Sequence, residues 1–348
     1  KLRHKNIVPI YDVGEDEGFH YFTMEFVEGG NLRDIANIRG KLQPVELLRC
    51  GCDMAEGLEY ALTQGMTHRD FKLTNVLMSS RGVAKLVDFG LAGDESSSKD
   101  DNVQAVEYAT LEKNTRAPKG DPRSDLFFLG AVLYELATGI PPWSPTKSLE
   151  ERKHFHRYSG VRPIRNVDPG LPPAVIDIID RLMRINPHER YQSATEVVRD
   201  IKAALAAMGA TPSSLETSVL PKLSTVMCVE NRPKQQDMLR EYLTKHGYRV
   251  LMLSTPERAL NRLKTNPPEC VLVMGEALDG HLEQDCGDLV LWSEMQSVPC
   301  VLVLPQRDAE LARKLPRKSF TKSLLQPVTL RDLRTTIADV MQACANRE

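Results

Sequence analysis

The sequence predicts two folds in tandem: a mostly helical α+β unit over residues 1–208 and an α/β unit over residues 223–345, with a linker at 209–222 between them. Three observations carry this reading. In the first part a few short strands precede long helical stretches with apolar residues at helical spacing. Gly209 to Lys222, with Thr211-Pro-Ser-Ser and Pro221, then interrupts the pattern. Beyond it strands and helices alternate, as in a doubly wound parallel sheet. A length of 348 residues fits two domains of roughly 150 residues each. The 41% hydrophobic fraction supplies sizeable cores and argues against disorder.

In chain order, residues 7 to 13 and 19 to 27 read as strands joined by the acidic turn Gly14-Glu-Asp-Glu-Gly18, and the second runs into Met24-Glu-Phe-Val-Glu-Gly-Gly30. Asn31 can cap a helix from Leu32 to Ile38. Pro44 opens a longer helix through Leu62, with Val45, Leu48, Cys52, Ala55, Leu58 and Leu62 on its apolar face. A polar loop holding Asp70, Lys72 and Asn75 enters the apolar Val76-Leu77-Met78. After a turn at Ser79 to Gly82, a second strand from Val83 to Val87 delivers Asp88. This strand-turn-strand unit places Asp70, Asn75 and Asp88 near one point, with Lys72 beside them. Gly93 to Asn102, containing Ser96-Ser97-Ser98, has the composition of a solvated loop. Asp121-Pro-Arg-Ser-Asp125 opens a helix from Leu126 to Ala137 that is apolar on all sides and therefore buried on all sides. Helices from Pro173 to Ile185 and Ser193 to Met208 follow, and Trp143, His154 and His156 read as packing or surface residues. In the second part Ser224–Val229, Arg249–Leu253, Cys270–Met274 and Pro299–Leu304 read as strands. Pro233–His246 and Pro256–Thr265 read as helices.

The side chains gathered by the strands at 76–78 and 83–87 suit phosphoryl transfer. That chemistry rests on holding metal ions, neutralising oxygens and aiming the attacking hydroxyl. Asn75 and Asp88 are hard oxygen ligands of the kind magnesium takes. Lys72 is a point charge for phosphate, and Asp70 is free to orient a hydroxyl and accept its proton.

The ordered set His68-Arg69-Asp70, Asn75 and Asp88-Phe89-Gly90, with two strands between its parts, resembles the protein kinases. The resemblance covers residues 1 to about 208. It implies a kinase-like α+β fold, a mostly helical large lobe with remnant small-lobe strands, and it implies ATP and Mg2+ as cofactors. Backbone groups near Glu25 and Val27 would bond adenine, Leu77 would line the cofactor site, and Lys72 and Asp88 would face the phosphates. Asn75 and Asp88 would hold magnesium, while His68 and Phe89 are structural. Ser96, Ser97 and Ser98 fall in the activation segment, where Arg69 could pair with a phosphate. Glu112 would pair with Arg190, and Asp125 would bond the catalytic-loop backbone. Lys72, two residues after Asp70, matches the Ser/Thr branch, and the segment suits protein substrates better than small molecules.

The sequence also departs from that family. The Gly-rich loop, the phosphate-contacting lysine and its helix glutamate are absent, Ala105 replaces a threonine, and Leu111 replaces a proline. With neither initiator Met nor signal peptide ahead of Lys1, the chain reads as a fragment that is inactive or nearly so. The rival reading is a pseudokinase scaffold.

Order and spacing of the second unit resemble response-regulator receivers, which implies a flavodoxin-like fold. Here Glu230-Asn231 keeps half of an acidic pair, Met274 stands at the phosphoryl-acceptor position and Gln326-Pro327 at the lysine position. Glu276 is a poor substitute for the acceptor. The expectation is a docking or dimerising module that cannot be phosphorylated. A net charge of -2 suggests no nucleic-acid partner. No apolar run is long enough for a membrane span. The 7 cysteines lack metal-ligand or disulfide spacing and read as reduced thiols of a cytoplasmic protein.

Overall fold

The computed structural model describes every residue except 1, 17–18, 28–29, 80, 90–102, 147, 211–223, 279–281, 316–317 and 346–348. The chain divides into two units, Lys1–Lys222 and Leu223–Glu348.

In the first unit β1 (Ile10–Asp16) and β2 (Phe19–Met24) pair antiparallel, with Ile10 opposite Met24 and Asp16 opposite Phe19. The strands differ from the expected 7–13 and 19–27 because Pro9, which has no N–H, interrupts the ladder. Residues 6 to 8 turn instead to another strand. The Val8 N–H donates to the Leu86 carbonyl at 2.9 Å and the Leu86 N–H to the Asn6 carbonyl at 2.8 Å. Helix α1 (Leu32–Arg39) starts at Asn31, whose side chain accepts from the Asp34 N–H. Helix α2 (Pro44–Thr63) starts with a capping box between Gln43 and Glu46. Two short antiparallel strands follow, β3 (Val76–Met78) and β4 (Ala84–Leu86), with Val76 opposite Leu86.

Helix α3 (Val103–Thr115) precedes α4 (Pro122–Thr138), in which every residue from Ser124 to Ala137 is buried. Asp121 caps α4 by accepting from the Arg123 N–H, and Gly139, at φ 73°, ends it in the left-handed conformation that glycine adopts without strain. Single-turn helices α5 (Leu149–Arg152), α6 (His156–Ser159) and α7 (Ile164–Val167) lead to α8 (Pro173–Leu182) and α9 (Ala194–Ala207). One core joins Leu47, Met54 and Leu58 of α2 to Phe127 and Leu133 of α4, to α8 and α9, and to Val76 and Leu86.

The second unit alternates β5 (Thr225–Val229), α10 (Pro233–Lys245), β6 (Arg249–Leu253), α11 (Pro256–Thr265), β7 (Cys270–Met274), α12 (Leu282–Met295), β8 (Cys300–Leu304), α13 (Ala309–Lys314), β9 (Thr321–Leu325) and α14 (Leu330–Ala345). The five strands form a parallel sheet in the order β6-β5-β7-β8-β9. Alternate residues build two cores, as the two-residue strand period requires. Met227, Val271 and Leu302 pack with Ala259, Leu289 and Ala312 of α11, α12 and α13. Val226, Leu272 and Val301 pack with Leu239 of α10 and Ile337 of α14 on the other face. Among the described residues, no helix is long and apolar enough to cross a membrane.

Candidate active site

The strand pair β3–β4 builds the site. Its register continues one step past the strands, where the Val87 N–H donates to the Asn75 carbonyl at 3.0 Å, so Asp88 leaves the pair beside Asn75. The pair is braced from several sides. The Met78 N–H donates to the Gly30 carbonyl at 2.8 Å and Asn31 bridges to Leu77, tying Gly30 and Asn31 to β3. The Ala84 N–H donates to the Asp53 carboxylate on α2 at 2.9 Å, while the Asn6 amide donates to the Ala84 carbonyl at 3.0 Å. Burial pushes the Asp53 pKa up, and the Ala84 N–H opposes that rise.

Ahead of β3, the loop from His68 to Asn75 hangs on one buried carboxylate. Asp125, in the first turn of α4, accepts from the backbone N–H groups of His68 at 2.8 Å and Arg69 at 3.0 Å. It also accepts from the Tyr108 hydroxyl at 2.8 Å, and that hydroxyl in turn accepts from the Phe71 N–H at 3.4 Å. Burial, reinforced by the neighbouring Asp125 charge, raises the Tyr108 pKa far above its ordinary value and keeps the phenol protonated. Arg69 and Asp88 both take φ 59°, a left-handed conformation that a non-glycine residue adopts only when its surroundings hold it there. The buried His68 ring lies 4.6 Å from that of Phe89 and 5.4 Å from that of Phe71, and its Nδ1 accepts from the Asp70 N–H at 3.3 Å. Burial lowers the His68 pKa against the pull of Asp125 and Asp70.

Within this frame Asp70, Lys72 and Asn75 come together. Lys72 Nζ lies 2.9 Å from each Asp70 carboxylate oxygen, and Asn75 Nδ2 donates to Asp70 Oδ2 at 2.7 Å and to the Asp70 carbonyl at 2.9 Å. Both Asp70 carboxylate oxygens are thus engaged, by the lysine two residues on and by Asn75. The same bonds orient Asn75: with its NH2 committed to Asp70, Oδ1 is the end left for an incoming ligand, and among the described residues it accepts only a long 3.4 Å contact from the Thr74 hydroxyl. Asp88 presents an exposed carboxylate. An amide oxygen and one carboxylate are hard donors that fit magnesium, whose remaining positions go to phosphate and water. No group of three or more His, Cys, Asp or Glu able to hold a metal occurs among the described residues.

Other expected residues fall as follows. The Glu25 N–H donates to the Pro9 carbonyl at 3.1 Å and its carboxylate pairs with Lys85 at 2.7 Å, while Val27 packs with Val8, Val87 and the half-buried Leu77. Ser96, Ser97 and Ser98 lie outside the described residues. Glu112 and Arg190 do not pair. Arg190 donates instead to the carbonyls of Arg184, Arg123 and Ile185, serving a chain reversal, and Glu112 accepts from the Gly120 N–H at 3.1 Å. Burial raises the Glu112 pKa, and the Arg69 charge is the first to oppose it. The loop expected from Gly93 to Asn102 lies outside the described residues, and helix α3 follows it. Tyr108 and Asp53 were the site residues that sequence reasoning missed. No pattern marked Asp53, which shares its side of α2 with Glu46 and Glu56.

Beside Lys72 a cavity of about 400 Å³ is lined by Phe71, Glu107, Glu135, Trp143 and Arg152. Glu107 and Glu135 are neutralised there by Arg152 and Arg33.

Comparison with known proteins gives the family. Residues 1–201 match the family described as protein kinase domain. The chain is 33% identical over 204 residues to a Clostridium perfringens protein named a probable serine/threonine-protein kinase, covering 58% of this chain and 30% of that one. It is 32% identical to the serine/threonine-protein kinase PrkC of Bacillus subtilis, covering 58% and 32%, and 30% identical to PknB of Mycobacterium leprae, covering 58% and 33%. The chain thus spans about a third of the length of these curated relatives. A crystal structure of Rad53 1-466 in complex with AMP-PNP is similar at a TM-score of 0.47 and 25% identity, covering 57% of this chain and 51% of that one.

Proposed function

This chain belongs to the protein kinase family, and from that premise we propose that its first unit serves as a serine/threonine protein kinase, moving the ATP γ-phosphoryl group to protein hydroxyls. The observation that carries the reading is the hydrogen-bonded knot of Asp70, Lys72 and Asn75, with Asp88 one residue beyond their strand pair. In the proposed roles Asp70 orients the substrate hydroxyl and accepts its proton. Lys72 releases Asp70 to meet the transferring phosphate, and Asn75 Oδ1 and Asp88 hold magnesium. When bound, the ion supplies positive charge to phosphate oxygens. Glu25, Val27 and Leu77 border the place for adenine. Arg69 and the serines at 96 to 98 are proposed as a phosphate-sensitive pair. Lys72 and the names of the relatives both favour serine and threonine over tyrosine.

Thermal unfolding with and without MgATP tests the nucleotide part, using protein expressed with whatever its reading frame encodes ahead of Lys1. A shift that Asp88→Ala abolishes is expected, and no shift in the unsubstituted protein contradicts the reading. Residues 1–348 contain no Gly-rich loop, and alone they are expected to transfer phosphate at a rate near zero.

A pseudokinase scaffold is favoured by one observation: residues 103–115, with Leu111 in place of a proline, are folded as helix rather than as an open platform for a substrate peptide. Phosphoamino-acid analysis after incubation with ATP separates the two, since a scaffold gives no phosphoserine or phosphothreonine.

The second unit is proposed as a receiver-like docking or dimerising module of flavodoxin-like topology. Its strand order, with Met274 and Gln326 at the strand ends, supports that reading. A stoichiometric acyl phosphate after treatment with acetyl phosphate contradicts it. A cytoplasmic location without a nucleic-acid partner belongs to the same proposal.

A further inference from the structure

In the second unit the strand order reverses beside β5 and β7, and a crevice lies beyond the carboxyl ends of such strands. A cavity of about 640 Å³ opens there, lined by Arg232, Leu239, Met274, Glu276, Gln326 and Leu330 among others. Glu230 follows β5 and is wholly buried, and Glu276 follows β7. The parallel register, Val229 opposite Val273, sets the two strand ends side by side. Carboxylates in that arrangement are the hard donors that a divalent cation takes, and the receiver-like reading implies such an ion.

The residues present do not fit one. Arg232 Nε donates to Glu230 Oε1 at 2.9 Å, and one terminal nitrogen donates to Glu230 Oε2 at 2.8 Å. The other terminal nitrogen pairs with Glu276, and the Arg232 backbone N–H reaches Glu230 Oε1 at 2.9 Å. Met274 offers a thioether, a soft ligand that does not draw a hard cation, and Gln326 adds no negative charge to the crevice.

We propose that the Arg232 guanidinium is the resident cation of this crevice: it neutralises Glu230 and Glu276, joins the ends of β5 and β7, and excludes magnesium. A wholly buried carboxylate without a counter-charge is strongly unfavourable, so this position needs a cation from some source. The planar fork of arginine fits a carboxylate bidentately and is covalently supplied at fixed position. The expectation of a metal rests on the receiver-like reading, whereas the arginine bridge does not.

The test uses the full chain labelled with 15N, with Mn2+ as a paramagnetic probe read at the amides of Val229, Glu230 and Glu276. Any ion held by the first unit is read separately at its own amides. In the unsubstituted chain these three amides stay sharp well above about 1 mM Mn2+, the range of weak carboxylate sites. In Arg232→Met they broaden near about 1 mM, the two freed carboxylates having become a cation site. Should Arg232→Met fail to fold without a cation, Mn2+ or Mg2+ is expected to restore the unfolding transition of the second unit. Selective broadening in the unsubstituted chain overturns the inference and leaves the receiver-like reading standing. A folded Arg232→Met chain that binds no Mn2+ at these amides overturns it too, as does an unfolded one that neither ion restores.

Discussion

Asp125 directs its hydrogen bonds to the loop that carries Asp70, so the position of the candidate base is decided by a residue far along the chain. Removing the phenol that completes this network leaves the Phe71 N–H without its acceptor in a buried place. Tyr108→Phe is therefore expected to cost about 1–3 kcal/mol in urea unfolding, the usual penalty for one orphaned buried group. His68 makes the same loop sensitive to pH. Its folded-state pKa lies below the ordinary value of about 6.5, so as pH falls the unfolded chain takes up the proton first. The contribution of His68 is intact above about 6.5 and declines as pH drops from there toward the folded-state value. Comparing urea midpoints roughly one pH unit above and below the ordinary value of about 6.5, His68→Phe is expected to lose less stability on acidification than the unsubstituted chain. An equal loss in both would contradict the assignment of a neutral, buried imidazole.

At the level of elements, the candidate site depends on how closely α2 approaches β4. A Cβ on Gly57 would meet Leu86 Cδ1 at 2.9 Å and the Asn6 backbone oxygen at 3.0 Å. The second of these cannot rotate away. Gly57→Ala gains up to about 1 kcal/mol in helix propensity, yet the forced shift costs about 1–3 kcal/mol. Net destabilisation in urea, with weaker nucleotide binding, is the expected outcome. Helix α3 shows why one element escaped the sequence. Its buried residues include Glu107, Thr110 and Glu112 beside Tyr108 and Leu111. Arg152, the Val106 carbonyl and the Gly120 N–H satisfy those polar groups, so no apolar periodicity marks the helix. The opposite holds for α4, whose apolar run announces burial on every side, and for β5 to β8 of the second unit, whose short apolar runs read directly, whereas β9, with Lys322 and Ser323 in it, does not. The single-turn helices α5 to α7 are too short for any period to register.

For the whole molecule, the two units have separate cores, which predicts separate unfolding. Each unit contains one of the 2 tryptophans, Trp143 or Trp292. Leu133→Ala empties a fully buried position of the first core and is expected to cost about 2–5 kcal/mol. That loss should shift the urea transition reported by Trp143 in a Trp292→Phe background. The transition reported by Trp292 in a Trp143→Phe background should not move. At this scale the sequence was most legible where chemistry sits on a short segment: Asp70, Lys72 and Asn75 share one loop and bond one another, and Asp88 follows Val87, whose N–H bonds the Asn75 carbonyl. It was least legible where partners are distant, as with Glu112 and Arg190, whose real partners are backbone groups that no side-chain pattern encodes. The most direct measurement is transfer of labelled γ-phosphate from ATP to a protein substrate, comparing the protein expressed with whatever its reading frame encodes ahead of Lys1 against Asp70→Asn in the same background. A loss on the order of 10²–10⁴-fold in rate, with the MgATP-induced thermal shift retained, is the predicted result. Equal rates for the two proteins would contradict the account.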